Sequence, residues 1–146
     1  MTLYLLDENV LKEMRSGGDK AVAAWLKTVD DADLRLSALT FLEKRIGCES
    51  QIAKGGDRAD AGRAGLEAIT ALEAAYANRI LPIDAKVTAE WARLLGAKQK
   101  NQRDMALAAT ARVHDIVLVT RNVKDFAGRG VRVLNPFKTP PVIAVV

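Results

Sequence analysis

With one cysteine, Cys48, and one histidine, His114, the 146-residue chain has little from which to build a crosslink or a soft metal centre. A single thiol closes no internal disulfide, and no Cys/His spacing of a zinc site is present. No apolar stretch approaches the roughly 20 residues of a membrane-crossing helix. The opening "MTLYLLDENV" has neither a basic start nor a small-residue cleavage site, so no signal peptide is expected and the cytoplasm is the expected compartment. A phosphate loop is missing as well, because no spaced glycines lead to a Lys-Ser/Thr pair. No linker-like stretch interrupts the chain, and residues 1–146 are expected to form one domain.

What is present is the composition of a folded protein: 49% hydrophobic and 27% charged residues. The net charge of +4 gives a mild attraction to polyanions such as RNA or DNA. In a basic chain there is no general surplus of carboxylates, so clustered acids carry more information.

Short apolar runs alternate with helical patterns. "TLYLL" (2–6) reads as a buried strand, followed by helices at about 8–15 and 19–28 that Gly17-Gly18 separates. "LRLSAL" (34–39) reads as a strand handing over to a helix from about 39, and an Ala/Leu/Glu-rich helical region covers roughly 58–78. "RILPI" (79–83), "DIVLVT" (115–120) and "VRVL" (131–134) are three more strands, with helices at about 85–98 and 103–114 between the first two. This order predicts an α/β fold with a largely parallel central sheet of four to five strands flanked by helices. Gly-Gly-Asp-Lys/Arg-Ala occurs at 17–21 and 55–59, and Asp19 and Asp57 are expected to cap helices there. Trp25, Trp91 and Cys48 are expected to pack, and His114 to be structural. "DDAD" (30–33) lacks the glycine and terminal glutamate of a calcium loop.

Three acids stand out by position. Asp7 ends the first strand, where a helix cap is the plain reading of it taken alone, with Glu8 favoured by the helix dipole. Leu39, Leu42 and Ile46 are expected to form the inward stripe of their helix, and Glu43 falls within that stripe. Asp104 lies at i−3, i−4 and i−7 from Leu107, Ala108 and Ala111 of another expected inward stripe. "LVTRNVKDF" (118–126) leaves its strand as "YLLDENV" leaves the first. Ligand crevices of open parallel sheets lie at the carboxyl ends of strands. Carboxylates brought together there either protonate or take a cation, and Mg²⁺ and Mn²⁺ prefer such oxygens. Spacing alone does not say that residues 7, 43 and 104 converge.

"YLLDENV", "SALTFLEKRIG" and "RDMALAATARVHDIVLVTRNVKDF", in that order, resemble the PIN-domain family, most closely the VapC-type toxin ribonucleases of VapBC toxin–antitoxin pairs. The resemblance runs from Leu3 to about Pro136, with "D…AATA…LVTRN…DF" its most specific piece. It implies a parallel-sheet fold with acids at one edge that bind Mg²⁺, or Mn²⁺, for RNA hydrolysis. Asp7, Glu43 and Asp104 match the three main acidic, metal-holding positions. The fourth catalytic position, often Asp, is Asn122 here. Asn9, Thr120 and Asp125 match supporting positions. Glu8 departs from the usual Thr or Ser; as a glutamate it either adds an outer metal ligand or turns away. Arg103, Arg121 and Lys124, with Lys98 and Lys100, are candidates for RNA contact.

The resemblance also implies a cognate VapB-type antitoxin that fills an apolar groove, for which the helical hairpin of 39–78 is the candidate, and that sends a cation into the acids. Operator DNA would be reached indirectly through the antitoxin. Homodimers are expected, with the tail "VIAVV" at an interface, and no membrane partner. Competing readings are a PIN nuclease of RNA processing or DNA repair without an antitoxin, a catalytically weak nucleic-acid-binding module, and a receiver-like domain. The last lacks the acid pair it needs beside Lys124.

Overall fold

The computed structural model describes residues 1–146. Its elements run β1 (Tyr4–Leu6), α1 (Glu8–Leu11), α2 (Lys20–Leu26), β2 (Leu34–Ser37), α3 (Ala38–Lys54), α4 (Gly56–Ala75), β3 (Ile80–Leu81), α5 (Ala85–Leu95), α6 (Gln102–His114), β4 (Val117–Val119), β5 (Arg132–Leu134) and β6 (Ile143–Val145). The sheet order is β3-β2-β1-β4-β5-β6, parallel except for the antiparallel pair β5–β6. The sixth strand was not among the four to five expected. The tail expected at an interface forms this edge strand along β5, with Val133 opposite Ala144, and the strand's side chains are exposed. No helix is long and apolar enough to cross a membrane.

Strand side chains alternate between two cores, as the period of two requires. Leu5, Leu118 and Val133 join Met105, Leu107, Ala108 and Phe126 on the α5–α6 face. Leu6, Val117, Val119 and Leu134 join Val10, Trp25, Phe41 and Ile69 on the face covered by α1 to α4. Trp25 is core and meets Tyr4 edge to face at 5.4 Å. Trp91 packs against the first core, partly buried. His114 is exposed in the last turn of α6.

The helical boundaries depart from the sequence reading in four places. First, α1 stops at Leu11 rather than about 15, because the chain turns back so tightly that a Cβ on Gly18 would lie 2.0 Å from the Glu13 carbonyl oxygen. Second, Asp19 caps α2 through the Ala21 and Val22 amides, but Asp57 caps nothing. Gly55 and Gly56, at φ 71° and 60°, make the break between α3 and α4 by themselves. Third, α4 begins at Gly56 and ends at Ala75, not 58–78.

The fourth departure concerns α3. Leu42 and Ile46 are 54% and 58% exposed, so the stripe containing them faces outward. The inward positions are Phe41, Cys48 and Ile52, at i, i+7 and i+11. Cys48 is a packing residue: its sulfur occupies the space a Cβ on Gly65 would need, and Gly62 lets the Cys48 carbonyl approach α4 equally closely. Leucine and isoleucine set the apparent stripe, but α4 brings Gly62 and Gly65 against the other face and so selects it.

Candidate metal and active site

The sheet order decides where the acids meet. Because β4 lies beside β1, the loops leaving Leu6 and Val119 emerge together at the carboxyl edge of the sheet, and the Asp7 amide donates to the Val119 carbonyl at 3.0 Å. This is where the strand order changes direction, with β2 and β3 to one side and β4 to β6 to the other. Ser37 ends β2 and caps α3 through the Leu39 amide, which starts that helix at the same edge and carries Glu43 there one turn later. Asp104 comes from the first turn of α6.

Asp7 is 1% exposed and its carboxylate is fully engaged. Oδ1 accepts from the Glu8 amide at 2.7 Å, so the residue does cap α1, and from Arg103 Nη2 at 2.7 Å. Oδ2 accepts from the Thr120 hydroxyl at 2.8 Å and from Asn9 Nδ2 at 3.3 Å. The wholly buried Thr120 Oγ1 accepts in turn from the Asn122 amide at 3.1 Å, and Asn9 Oδ1 receives the Arg121 amide at 3.2 Å. Thus the "DEN" and "TRN" turns are tied into one support for a single carboxylate.

Arg103 is the cation at the centre. Nε donates to Glu43 Oε1 at 2.6 Å, Nη1 to Asp104 Oδ1 at 3.2 Å, and Nη2 to Asp7. The sequence reading had Arg103 facing RNA; the structure turns it inward onto the three acids, because a buried carboxylate group without a cation would be costly. Burial opposes the charge of Arg103, but the hydrogen bonds and charges of Asp7 and Glu43 outweigh it and hold the guanidinium more firmly protonated than usual. Burial pushes the Asp104 carboxyl above the usual aspartate range; Arg103 opposes this, while the charges of Asp7 and Asp125 add to it.

A cavity of about 370 Å³ opens here with no hydrophobic side chain in its lining, which is Asp7, Glu8, Asn9, Lys12, Glu43, Lys44, Arg103 and Asn122; Asp104 lies outside that lining and joins the site through Arg103. Glu8 turns neither into the acid cluster nor away from the cavity. Its Oε1 pairs with Lys44 Nζ at 3.0 Å, and its Oε2 is buried without a partner. Lys12 and Lys44 were missed in the sequence, where nothing distinguishes them from surface lysines. Lys98, Lys100, Arg121 and Lys124 are exposed and lie outside the lining; Arg121 stacks at 4.6 Å over the Phe137 ring. Asp125 lies close enough to act on Asp104 but does not border the cavity.

The donor set is one of hard oxygens, three carboxylates and the Asn122 amide, which suits Mg²⁺ or Mn²⁺. It already gathers on one cationic group. With the planar guanidinium among them, no three carboxylates stand close enough to share a single ion. The place among these acids is taken by the Arg103 guanidinium.

A parallel sheet with an acid cluster at its switch point defines a class, and the PIN domain model matches residues 4–128. The chain belongs to the PIN-domain family, whose nucleases generally use divalent metal ions. It is 31% identical over 141 residues to Toxin FitB of Neisseria gonorrhoeae, covering 92% of this chain and 99% of that one. It is 30% identical over 142 residues to VapC ribonuclease Y4jK of Sinorhizobium fredii, covering 93% and 99%. Among solved structures, FitAB bound to an IR36 DNA fragment superposes with a TM-score of 0.70 at 32% identity, over 93% of this chain and 96% of that one.

Proposed function

We propose that this protein is a divalent-metal-dependent endoribonuclease, the toxin of a type II toxin–antitoxin pair, with Asp7, Glu43 and Asp104 as metal ligands. The observation that carries the reading is the convergence of these three carboxylates, from three separated elements, on one cationic group. A bound Mg²⁺ or Mn²⁺ would make a water nucleophilic near neutral pH and neutralise charge on the phosphorane. Thr120 and Asn9 hold Asp7 through its Oδ2. Asn122 offers a neutral amide at the lip where a fourth acid is common. Glu8 keeps Lys44 at the rim, and Lys44, Lys12, Arg121 and Lys124 draw the RNA backbone by charge, which makes binding salt-dependent.

A VapB-type antitoxin fits the apolar groove of about 390 Å³ formed by Leu11, Met14, Ala68, Ile69, Leu72 and Tyr76, which adjoins the acid cavity through Lys44. The resemblance to FitB, and the FitAB structure on DNA, support an antitoxin that carries the pair to operator DNA. The exposed Leu42 and Ile46 suit a homodimer contact. The proposed site of action is the cytoplasm, where the toxin would meet both RNA and its antitoxin.

The test is expression of wild type and Asp7→Asn in a bacterial host, with RNA cleavage mapped with and without Mg²⁺. Wild type is expected to arrest growth and to cut RNA only with metal; Asp7→Asn is expected to do neither. A wild type that neither arrests growth nor cuts removes the toxin reading, and an Asp7→Asn variant that cuts as well as wild type removes the site assignment.

A further inference from the structure

Arg103 spends each of its three nitrogens on a different carboxylate: Nε on Glu43, Nη1 on Asp104, Nη2 on Asp7. Such an arrangement is more than a surface ion pair. Asp7 is almost wholly buried, and three charge-assisted hydrogen bonds meet in a partly desolvated cavity. Arg103 shares Oδ1 of Asp7 with the Glu8 amide, while Oδ2 is committed to Thr120 and Asn9. A divalent ion bound by all three acids competes with the guanidinium at Asp7 above all, because that carboxylate has no uncommitted oxygen. Coulomb repulsion adds to the cost of holding both cations at that spacing.

The way out is also visible. Arg103 is the second residue of α6, following Gln99 and Asn101 in left-handed conformations, and its side chain remains 32% exposed. Because it is bonded to Asp104's own backbone, it never diffuses away; rotation about its side-chain bonds only moves it between the acids and the cavity rim.

We propose that Arg103 is a tethered counter-ion that competes with the divalent metal for Asp7, Glu43 and Asp104, keeping the metal-free site paired and setting the metal concentration at which it loads. This deepens the proposed function and rests on those three acids being the metal ligands. In the metal-free protein the guanidinium supplies the positive charge that buried carboxylates require. Loading is then an exchange of one cation for another, and the apparent affinity is weaker than the acids alone would give.

The experiment measures Mn²⁺ binding by calorimetry for wild type, Arg103→Gln and Arg103→Lys, with thermal denaturation in chelator and in saturating Mn²⁺. Arg103→Gln is expected to bind Mn²⁺ roughly tenfold or more tightly, the equivalent of losing one charge-assisted hydrogen bond that had to be broken. It is expected to melt lower than wild type in chelator and to recover with Mn²⁺; Arg103→Lys, which keeps the charge but lacks the fork, should fall between. In wild type, the Arg103 Nε–H resonance should be protected from exchange without metal and lose that protection as Mg²⁺ is added. Unchanged or weaker Mn²⁺ binding by Arg103→Gln overturns the proposal, as does protection that persists at saturating Mg²⁺. If neither wild type nor Arg103→Gln binds Mn²⁺, the metal-ligand reading itself is lost; if both bind equally, only the counter-ion role is.

Discussion

Two concavities meet at Lys44, and they are built from opposite materials. One is lined wholly by polar and charged side chains, with Asp7 from the end of β1 and Glu43 of α3 in its wall and Asp104 of α6 joined to them through Arg103. The other is apolar apart from Lys44 and runs between α1 and α4. The difference goes deeper than lining. In the acid cavity the residues are held by hydrogen bonds across the sheet edge, and little of the hydrophobic core depends on them. The apolar groove has core residues for its floor, since Ile69 and Tyr76 are each 6% exposed and belong to the same cluster as Leu6 and Val119. One surface is specialised for chemistry and the other is the core coming to the surface, so substitutions in the two should fail in different ways.

The sharpest break is Asp7→Asn. Asparagine keeps the helix cap but removes the charge that a metal ion needs, and cleavage should fall by about a thousandfold or more, several kcal/mol of lost charge stabilisation. Single-turnover RNA cleavage in Mg²⁺ checks it, and a loss of less than tenfold would mean that Asp7 does not carry the site. The groove gives the opposite expectation for Ile69→Ala. Removing a buried side chain between α4 and the sheet should cost about 2–4 kcal/mol of stability, read by urea denaturation. A cost below about 1 kcal/mol would mean that the groove floor is not core and would erase the distinction.

Thr120→Val tests whether the polar cavity depends on its support. The isosteric change leaves Asp7 Oδ2 with only the longer bond from Asn9, so metal affinity should drop about 10–100-fold. Unchanged Mn²⁺ affinity in a folded Thr120→Val variant would show that Asp7 is held by the backbone alone.

The smallest effect lies away from both surfaces. Glu90 pairs with Arg93 on α5 and with Arg112 of α6, at 2.7 Å for the latter. The Arg93 hydrogen bond, aided by Arg112 and opposed by burial, lowers its carboxyl from 4.5 to about 2. The folded pKa is the depressed one, so the stability it contributes is present above about pH 4.5 and is lost as pH falls toward about 2. Glu90→Gln should flatten the stability profile in that window and change little at neutral pH. An acid limb identical to wild type would remove Glu90 from the account.

Much of the fold was legible because it is written locally. Each of the runs at 2–6, 34–39, 79–83, 115–120 and 131–134 contains a strand, shorter than the run, and helices form at 85–95 and 102–114 where 85–98 and 103–114 were expected. Asp19 caps α2 as its position suggested. Where the reading failed, a distant partner had overruled the local signal. Asp57 had no capping work left because two glycines had already made the turn. Leu42 and Ile46 face outward because α4 packs on the other side of α3, and Glu43 reached the acid cluster although the stripe invoked for it was the wrong one. The tail "VIAVV" pairs with β5, a contact no local pattern announces. The Glu8 carboxylate takes Lys44, one α3 residue beyond Glu43, and so borders the cavity without pairing with the three acids' cation.

By itself the sequence determined the alternation of strands and helices, the two-faced apolar pattern of β1 and β4, and the set of acids from which a site could be made. These follow from backbone propensity and from a period of two or 3.6, both of which act over a few residues. Only the tertiary structure decided that β4 lies beside β1, that residues 7, 43 and 104 therefore meet, and that Arg103 turns inward to bridge them. The physical reason is range. Pairing of strands more than a hundred residues apart depends on how the whole core packs, and the direction of one arginine depends on charges that exist together only after that core has formed.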